Sequence, residues 1–501
     1  MTDYNTDSEK LRIVFASSEA VPFSKTGGLA DVATSLSRAL VARGHQVSLF
    51  VPKHRFPNRS DLPPVHDADL QFEVPVGSEM VKASVCWSEF PDSGLRVFFI
   101  DQPGYFDRDG LYGTANGDHP DNCARFVFFS RAVLEAARHL VLRPHVVHCN
   151  DWQTGLIPAL LDAEHRNDAG FRNTASVFTI HNLAYQGQFW HHDMHLTGLD
   201  WRYFNFEQLE SHSNLNLMKA GITLADRVTT VSPTYAREIQ TAEFGCGMEG
   251  VLQHHALKVS GILNGIDTNE WNPNTDPLLS DNYSVDSVGD EKPKCKQVLQ
   301  DTFNLPQRPD VPLVGMVSRM STQKGFDIIA EAASEFLKHD LQLCILGTGD
   351  KSCEDMVTRL AEQYPDKVAV KLAFSEELAH RIEAGADAFL MPSRYEPCGL
   401  NQMYSLAYGT VPLVRATGGL ADSVVDASPE NMAAGTATGF TFKDYNPTAL
   451  AETFSRMMQL FADKSAWQQL VKTGMQQDWS WNRSAAEYEA VYRLAMDSCH
   501  V

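Results

Sequence analysis

Two identical glycine turns are the strongest chemical signal in this sequence. Residues 26–31 and 417–422 both read Thr-Gly-Gly-Leu-Ala-Asp, and each copy precedes a stretch with helical periodicity. Glycines allow a ligand to approach the backbone closely, and the unpaired N–H groups at a helix N-terminus attract anions. We interpret the two turns as a functional pair, one per domain, that binds one anion. The alternative is a turn used twice with no ligand.

Basic side chains stand next to these predicted anion sites. Lys25 directly precedes the first turn, as the lysine of a phosphate-binding loop does. Arg319 and Lys324 follow a strand predicted at 313–317, and a guanidinium fork with an ammonium group complements phosphate oxygens. Because the chain carries a net charge of −21, an anion needs such a local basic site. Ordinary solvent-exposed charges are the alternative for all three residues.

Polar residues also follow several predicted strands, where ligands of open α/β sheets bind. Glu19 comes after the first strand, Asp151 after a strand at 146–149, and His181 with Asn182 after a strand at 176–180. Glu396 and Cys398 lie in the loop between a strand at 388–392 and a helical stripe that ends near Gly409. A solvent-facing side chain is the alternative for Glu19, and Asp31 suits the first turn of a helix for dipole reasons alone.

Alternating strands and helices must position these residues. The strand, glycine turn, helix and strand of residues 11–51 form the unit from which doubly wound sheets are built. A chain of 501 residues exceeds one core, so two or three domains are expected. Residues 56–94 are irregular with a hairpin, and the polar residues 272–296 are expected to form a surface excursion. Further strands are predicted at 95–100, 227–231, 259–263, 342–346, 368–372 and 411–414, and helices at 449–461 and 479–495.

Composition excludes several classes of protein. The acidic balance disfavours nucleic-acid binding, and no apolar run could span a bilayer. The N-terminus lacks the pattern of a signal peptide, and the nine scattered cysteines lack CxxC spacing. We therefore expect a cytoplasmic protein with reduced thiols and no zinc site. A two-domain NAD enzyme is disfavoured, because Ser352 stands in place of the third glycine of a dinucleotide fingerprint at 347–352.

Six motifs together resemble bacterial glycogen synthases and plant starch synthases over nearly the whole chain. They are KTGGLADV at 25–32, HNLAYQG at 181–187, ADRVTTVSPTYAREI at 225–239, GILNGIDTNEWNP at 261–273, SRMSTQKG at 318–325 and SRYEPCGLNQMYSLAYGT at 393–410. The resemblance implies an α/β fold of the GT-B type, in which two Rossmann-like doubly wound domains face a deep cleft. The expected domains are residues 1–258 and 259–478, with a helix at 479–501 that crosses back to the first domain.

The same resemblance implies an activity. Such enzymes transfer glucose from ADP-glucose to the nonreducing end of an α-1,4-glucan, with retention of the anomeric configuration. The expected partners are thus ADP-glucose and a glycogen or malto-oligosaccharide acceptor. The sequence has no acidic metal motif at a strand end, so we predict metal-independent transfer without a cofactor. A donor such as UDP-glucose, a small acceptor, or a catalytically silent glucan-binding protein are the alternatives.

Individual positions take roles from the family motifs. Arg319 and Lys324 correspond to the pair that neutralises the leaving phosphates, Glu396 to a carboxylate near the donor sugar, and His181 to a histidine beside the donor glucose. The remaining binding residues implied in this way contact the diphosphate, the sugars or the base: Lys25, Gly27, Gly28, Glu19, Asp151, Asn182, Phe374, Cys398, Gly399, Leu400, Thr417, Gly418 and Gly419.

Three positions depart from the pattern of related enzymes. Tyr404 stands where many retaining transferases have a second glutamate, as expected for the starch synthase branch. Phe374 replaces a common tyrosine at the base-stacking position, and Asn150 replaces a common histidine. The sequence alone does not assign a role to the turn at Asn150.

Overall fold

The structure is a computed structural model that describes residues 10–57, 62–114 and 116–499. The chain divides into two compact units. Unit 1 contains the chain up to Val231, Ala236–Gly265 and the chain from Trp481 onward, and unit 2 contains Ser232–Tyr235 and Ile266–Ser480. The predicted split at residue 258 lies just before a strand, Val259–Gly261, that pairs with the unit 1 sheet.

Unit 1 is built on a nine-stranded sheet with the order β14-β13-β9-β8-β1-β2-β5-β4-β3. The strands from β14 to β5 are parallel, and the hairpin of β3 and β4 continues the sheet in antiparallel fashion. The hairpin confirms the expectation for residues 56–94, of which 58–61 lie outside the described residues. The strands of this sheet are β1 Arg12–Ala16, β2 Gln46–Pro52, β3 His66–Val76, β4 Glu79–Glu89, β5 Arg96–Asp101, β8 Val146–Asn150, β9 Ala175–Ile180, β13 Arg227–Thr230 and β14 Val259–Gly261. A two-stranded sheet is formed by β6 Gly113–Thr114 and β7 Gly117–Asp118. A three-stranded sheet is formed by β10 Gln188–Trp190, β11 Glu210–Ser211 and β12 Asn214–Asn216.

Helices connect and cover the strands of unit 1. They are α1 Gly28–Ala42, α2 Pro103–Phe106, α3 Asn122–His139, α4 Ile157–Leu160, α5 Met194–Thr197, α6 Leu217–Leu224, α7 Pro233–Glu238, α8 Glu249–His254 and α18 Trp481–Cys499. The first turn of α7 is counted with unit 2. The unit also has 3₁₀ turns at Trp152–Thr154, His191–Asp193, Trp201–Tyr203 and Ala256–Lys258 and a π turn at Leu161–His165.

The last helix belongs to the core of unit 1 although it follows unit 2 in the chain. Trp481, Ala485, Tyr488, Tyr492 and Ala495 recur at helical spacing, and all five are buried in one cluster with strands β1, β2 and β5. The helical periodicity of residues 479–495 thus corresponds to α18, whose apolar face packs within unit 1.

Unit 2 is built on a six-stranded parallel sheet with the order β17-β16-β15-β18-β19-β20. Chain order reverses between β15 and β18, and ligands of open α/β sheets bind at the carboxyl edge of such a switch point. The strands are β15 Leu313–Val317, β16 Gln342–Leu346, β17 Val368–Lys371, β18 Ala388–Met391, β19 Val411–Arg415 and β20 Phe440–Phe442. The helices are α9 Val288–Thr302, α10 Phe326–Phe336, α11 Lys351–Gln363, α12 Glu376–Gly385, α13 Asn401–Ala407, α14 Gly418–Ser423, α15 Pro429–Ala434, α16 Pro447–Ala462 and α17 Lys464–Met475, with a 3₁₀ turn at Thr322–Lys324.

The expectation of a surface excursion over residues 272–296 is wrong for its last part. Helix α9 begins at Val288, and two of its three lysines, Lys292 and Lys296, are buried. The Lys292 Nζ donates to Thr410 Oγ1 at 2.6 Å and to Ala384 O at 2.8 Å, while Lys296 forms a 2.8 Å ion pair with Asp387. These partners lie at the end of α12 and in the loops before β18 and β19, far from α9 in the chain, so the sequence pattern presents the lysines as surface residues.

Candidate active site

The carboxyl edge of the unit 2 sheet brings Lys324 and Glu396 together. Lys324 ends the 3₁₀ turn after β15, and Glu396 lies in the loop after β18, the two strands at the switch point. The Lys324 Nζ donates to Glu396 Oε2 at 2.6 Å, and the Ser393 Oγ donates to the same oxygen at 2.9 Å. Glu396 is buried, while the Lys324 side chain keeps partial exposure. The ammonium group is therefore positioned, but is neutralised by a carboxylate.

A cavity of about 140 Å³ opens beside this ion pair. Its polar lining comes from Ser318, Arg319, Lys324, Ser393, Glu396 and Asn401, and its apolar lining from the ends of β15 and β18 and from Leu400. Among the described groups, the Arg319 guanidinium has one weak contact, 3.5 Å from Gln323 Oε1. Two cations and one carboxylate thus line a small cavity, which suits a ligand with a negatively charged group and hydroxyls.

The second glycine turn packs against the loop that carries Glu396. The Gly419 N–H donates to both Glu396 O and Pro397 O at 3.1 Å. A Cβ on Gly418 would lie 1.9 Å from Glu396 O, and one on Gly419 would lie 2.1 Å from Cys398 O. These glycines are required for close backbone packing, and the Gly419 N–H is directed at carbonyl groups of the protein. Thr417 is the N-cap of α14, as the sequence predicts.

The other predicted binding residues of unit 2 surround this loop. Cys398 is buried, and Gly399 has φ of +73°, which favours glycine at the entry to α13. Leu400 is the N-cap of that helix. Phe374 follows β17 and is 89% exposed, so its ring is presented to a ligand rather than packed in the core. The structure therefore favours stacking over a core role for Phe374.

The first glycine turn has a different environment in unit 1. Gly27 is the N-cap of α1, which begins at Gly28, and an added Cβ on Gly27 would meet no atom within 4 Å. Lys25 has a half-exposed side chain and forms a 2.8 Å ion pair with Asp31. The turn is thus open, and its lysine is held by an acidic residue of the same motif.

Glu19 holds this turn in place. Its carboxylate accepts from the Thr26 backbone N–H, from Thr26 Oγ1 at 2.6 Å and from Tyr112 Oη at 2.5 Å. Burial and the neighbouring Glu19 charge raise the pKa of Tyr112 well above its ordinary value, so the phenol remains a donor. Glu19 is 3% exposed, and its described bonds serve the protein itself. Glu19 therefore shapes the turn, and its expected place near a sugar stays a prediction.

Asp151 and His181 meet at the ends of β8 and β9. The Asp151 Oδ1 accepts from the His181 backbone N–H at 2.7 Å, and its carboxylate also accepts from the Asn182 N–H. Asp151 has φ of +55° with ψ of −179°, a region that costs a non-glycine residue about 1–3 kcal/mol. Asp151 keeps some exposed surface, but its carboxyl group is buried. Loss of hydration therefore raises the pKa of Asp151 to about 7. Strain and a shifted pKa together mark this turn as a functional candidate.

Asn150 fixes the ring of His181. The Asn150 Nδ2 donates to Ala16 O at 3.0 Å, so its Oδ1 faces the ring and accepts from His181 Nε2 at 2.9 Å. The Nε2 atom therefore carries the proton and Nδ1 keeps a lone pair. Burial lowers the pKa of His181 to about 3, so the ring is neutral near pH 7.

Several contributors to the site were not predicted as site residues. Ser393 and Thr26 lie close in sequence to predicted residues. Nothing in their residue types marks them as hydrogen-bond donors to a glutamate carboxylate. Tyr112 lies between β5 and α3, and its type does not mark it as a donor to Glu19. Tyr404, the position without the second glutamate, stacks on Trp271 with ring centroids 3.7 Å apart.

Metal-binding potential lies outside the predicted site. Over residues 10–57, 62–114 and 116–499, one group of histidine, cysteine or carboxylate side chains is placed to hold an ion: Glu270, Glu376 and His380. Metal-independent transfer remains a prediction. Within the same ranges, no helix is long and apolar enough to cross a membrane.

Comparison with known proteins supports one family. The chain matches the starch synthase catalytic domain over residues 12–254 and the group 1 glycosyl transferases over residues 299–472. It is 48% identical to a glycogen synthase of Anaeromyxobacter sp. over 96% of this chain and 99% of that protein, and 46% identical to one of Rhodopirellula baltica over 96% and 97%.

Solved structures agree with the sequence relatives. The catalytic domain of starch synthase IV from Arabidopsis thaliana, solved with ADP and acarbose, has a TM-score of 0.90 and 32% identity, covering 98% of this chain and 100% of that one. A sucrose-phosphate synthase from Thermosynechococcus elongatus, at 19% identity and a TM-score of 0.58 over 97% of this chain and 98% of that one, shares the fold. The predicted two-domain GT-B architecture and glycosyltransferase class are confirmed, and the chain belongs to the glycogen and starch synthase family.

Proposed function

We propose that this glycosyltransferase moves glucose from ADP-glucose to the nonreducing end of an α-1,4-glucan, with retention and without a metal ion. Glycogen or a malto-oligosaccharide is the acceptor. The observation that carries the proposal is the placement of Lys324, Arg319 and Glu396 around one cavity at the switch point of unit 2. The nine free cysteines agree with a reducing, cytoplasmic location.

The leaving group sets the main electrostatic demand. As the bond between the anomeric carbon and the phosphate breaks, negative charge grows on the diphosphate and positive charge on the sugar. Lys324 and Arg319 line the cavity where the phosphates are proposed to bind, and such preorganised charges act on the developing charge. A bound diphosphate competes with Glu396 for the Lys324 ammonium group and so releases the carboxylate to face the sugar.

The residues of unit 1 complete the proposed roles. Lys25 exchanges Asp31 for a phosphate oxygen, in a turn whose shape Glu19 maintains. The neutral His181, with Nε2–H directed to Asn150, offers Nδ1 as an acceptor for a sugar hydroxyl. The open Gly27 turn leaves room for a ligand beside the backbone.

Donor specificity is proposed to rest on the exposed ring of Phe374. Stacking of an aromatic ring on a base contributes about 1–3 kcal/mol. Because a purine offers a larger face than a pyrimidine, the ring favours the adenine of ADP-glucose over the uracil of UDP-glucose.

One assay tests the proposal directly. Incorporation of labelled glucose into glycogen is measured with ADP-glucose and with UDP-glucose, each with and without EDTA. We expect a higher kcat/KM with ADP-glucose and no loss of rate with EDTA. Preference for UDP-glucose would overturn the donor assignment, and abolition by EDTA would overturn the metal-independent mechanism. Glycogen binding without nucleotide release would instead support a silent glucan-binding protein.

A further inference from the structure

Unit 2 contains a second chemical cluster, made of a histidine and two glutamates that the proposed reaction does not use. Glu376 and His380 stand four residues apart on α12 and thus share one face of that helix. Glu270 comes from the turn in which the Trp271 N–H donates to Asp267 O at 2.8 Å. One ligand atom from each of the three side chains lies within 4.8 Å of the others.

The ring of His380 is oriented by a buried carboxylate. His380 Nδ1 lies 2.7 Å from Asp276 Oδ2, and both residues are 2% exposed. The same oxygen accepts from Tyr408 Oη at 2.6 Å, while Asp276 Oδ1 accepts from the Leu278 N–H at 2.9 Å. A carboxylate engaged in this way is an acceptor, so Nδ1 carries the ring proton and Nε2 keeps its lone pair. Metal-ligating histidines are oriented by the same carboxylate–imidazole arrangement.

The opposite nitrogen of this ring lacks a partner. His380 Nε2 is buried, and no hydrogen-bond partner for it exists among the described residues. The ring cannot easily turn away, because Trp271 stacks on it with centroids 3.8 Å apart and planes at 17°, and Tyr404 stacks on the other face of Trp271. Buried polar atoms are nearly always satisfied, so a fixed, unpaired lone pair beside two carboxylates indicates a missing ligand.

We propose that Glu270, Glu376 and His380 bind one divalent transition-metal ion. Imidazole nitrogen with carboxylate oxygen suits Zn²⁺ or Mn²⁺, whereas Mg²⁺ and Ca²⁺ prefer oxygen ligands alone. Zn²⁺ is the preferred occupant, since its affinity for such ligands exceeds that of Mn²⁺. Both glutamates are exposed and can move inward toward bond lengths of about 2.0–2.2 Å, while the buried histidine stays in place.

The proposed ion joins two segments of unit 2. Glu270 belongs to the turn that carries Trp271, and the other two ligands belong to α12, so the ion fixes that turn onto the helix. Trp271 also contacts Tyr404 of α13, the helix that follows the Glu396 loop. The ion is thus structural and takes no part in the glucosyl transfer proposed above.

Binding to the full-length, metal-free chain tests the proposal with a readout other than activity. Zn²⁺ binding is measured by calorimetry, and Co²⁺ binding by quenching of tryptophan fluorescence, because Trp271 touches the ligand histidine. We expect one saturable site per chain, with affinity about tenfold weaker or more in Glu270→Gln and in Glu376→Gln. The matched control is Glu377→Gln, on the same helix but paired with Arg381, and it should bind as the wild type does.

Two further variants decide the location of the ion. Trp271→Phe should remove most of the saturable Co²⁺ quenching. His192→Gln changes an exposed histidine beside Trp190 and His191 that is none of the three proposed ligands, and it should leave the Zn²⁺ affinity unchanged. The proposal is overturned if both glutamate variants bind within twofold of the wild type, if quenching persists in Trp271→Phe, or if His192→Gln abolishes the site.

Discussion

The side chain of Asn150 accepts a hydrogen bond from His181 Nε2 at 2.9 Å while donating to Ala16 O at 3.0 Å. This relationship connects the ends of three adjacent parallel strands, β1, β8 and β9, through one amide group. It also assigns a role to Asn150, which the sequence alone leaves open. The orientation of the His181 ring in this chain depends on the amide.

Asn150→Ala is predicted to lower kcat by about tenfold with little change in KM for the donor. A hydrogen bond contributes about 0.5–1.5 kcal/mol, and the upper value corresponds to tenfold in rate. Steady-state kinetics check the effect, with Asn173→Ala in the exposed turn before β9 as the control. Unchanged kcat in a folded Asn150→Ala variant would contradict a positioning role.

Lys324→Ala is predicted to reduce kcat by about 10²–10³-fold, because removal of one preorganised charge costs about 2.7–4 kcal/mol of transition-state stabilisation. The free energy of unfolding should change little, since Ser393 still donates to Glu396. Lys338→Ala, which removes an exposed lysine paired with Glu335, is the control and should retain full turnover. Near-normal turnover in Lys324→Ala would count against the proposed phosphate role.

Glu19→Gln distinguishes a residue that shapes the turn from one that contacts sugar. The variant loses an acceptor for Thr26 and Tyr112. We therefore expect the KM for the sugar donor to rise by about tenfold in a folded protein. Thr26→Val removes the partner hydroxyl alone and should reproduce part of this loss. If Thr26→Val were silent while Glu19→Gln abolished turnover, direct contact with substrate would be the better explanation.

The two copies of the glycine turn should respond differently to the same substitution. Gly419→Ala places a methyl group 2.1 Å from Cys398 O and should lower the free energy of unfolding by about 1–3 kcal/mol or more. Gly27→Ala meets open space in an extended backbone conformation and should change stability by about 0.5 kcal/mol or less. Denaturant unfolding measures both. Equal destabilisation would show that sequence identity, rather than packing, determines the outcome.

Unfolding should depend on pH through three histidines whose rings are desolvated. Burial lowers the pKa of His54, His148 and His181 to about 3, below the ordinary value of 6.5. The unfolded chain therefore binds more protons between these values, so stability is present above pH 6.5 and is lost as pH falls toward 3. Each histidine contributes a slope of about 1.4 kcal/mol per pH unit within this window.

Asp151 opposes this trend. Its pKa is raised from 3.8 to about 7, so the folded state binds the extra proton and stability falls as pH rises between these values. Denaturant unfolding between pH 4.5 and 6.5 should show a shallower slope in His148→Gln and a steeper slope in Asp151→Asn. The exposed His254 on α8 provides a control, His254→Gln, with the wild-type slope. Parallel slopes in all four proteins would contradict the assigned pKa directions.

Local patterns were sufficient for much of the fold. Strands β15 and β18 are continuous apolar runs and β1, β8 and β9 are largely apolar, because parallel strands are covered on both faces. Helices α13 and α14 begin where their motifs predict, since caps and glycine turns act over a few residues. Helix α9 was missed in part, because the partners that satisfy its buried lysines lie about a hundred residues away in the chain.

The sequence by itself determined the alternation of strands and helices, the family motifs and the types of residue available to bind phosphate and sugar. Only the tertiary structure decided which partners those residues have: Lys324 with Glu396, Lys25 with Asp31, Glu19 with Thr26, and His181 with Asn150. The physical reason is that hydrophobic periodicity and capping are local, whereas hydrogen bonds and ion pairs depend on distances between groups that only folding brings together. The same TGGLAD segment is therefore open at Gly27 and tightly packed at Gly419.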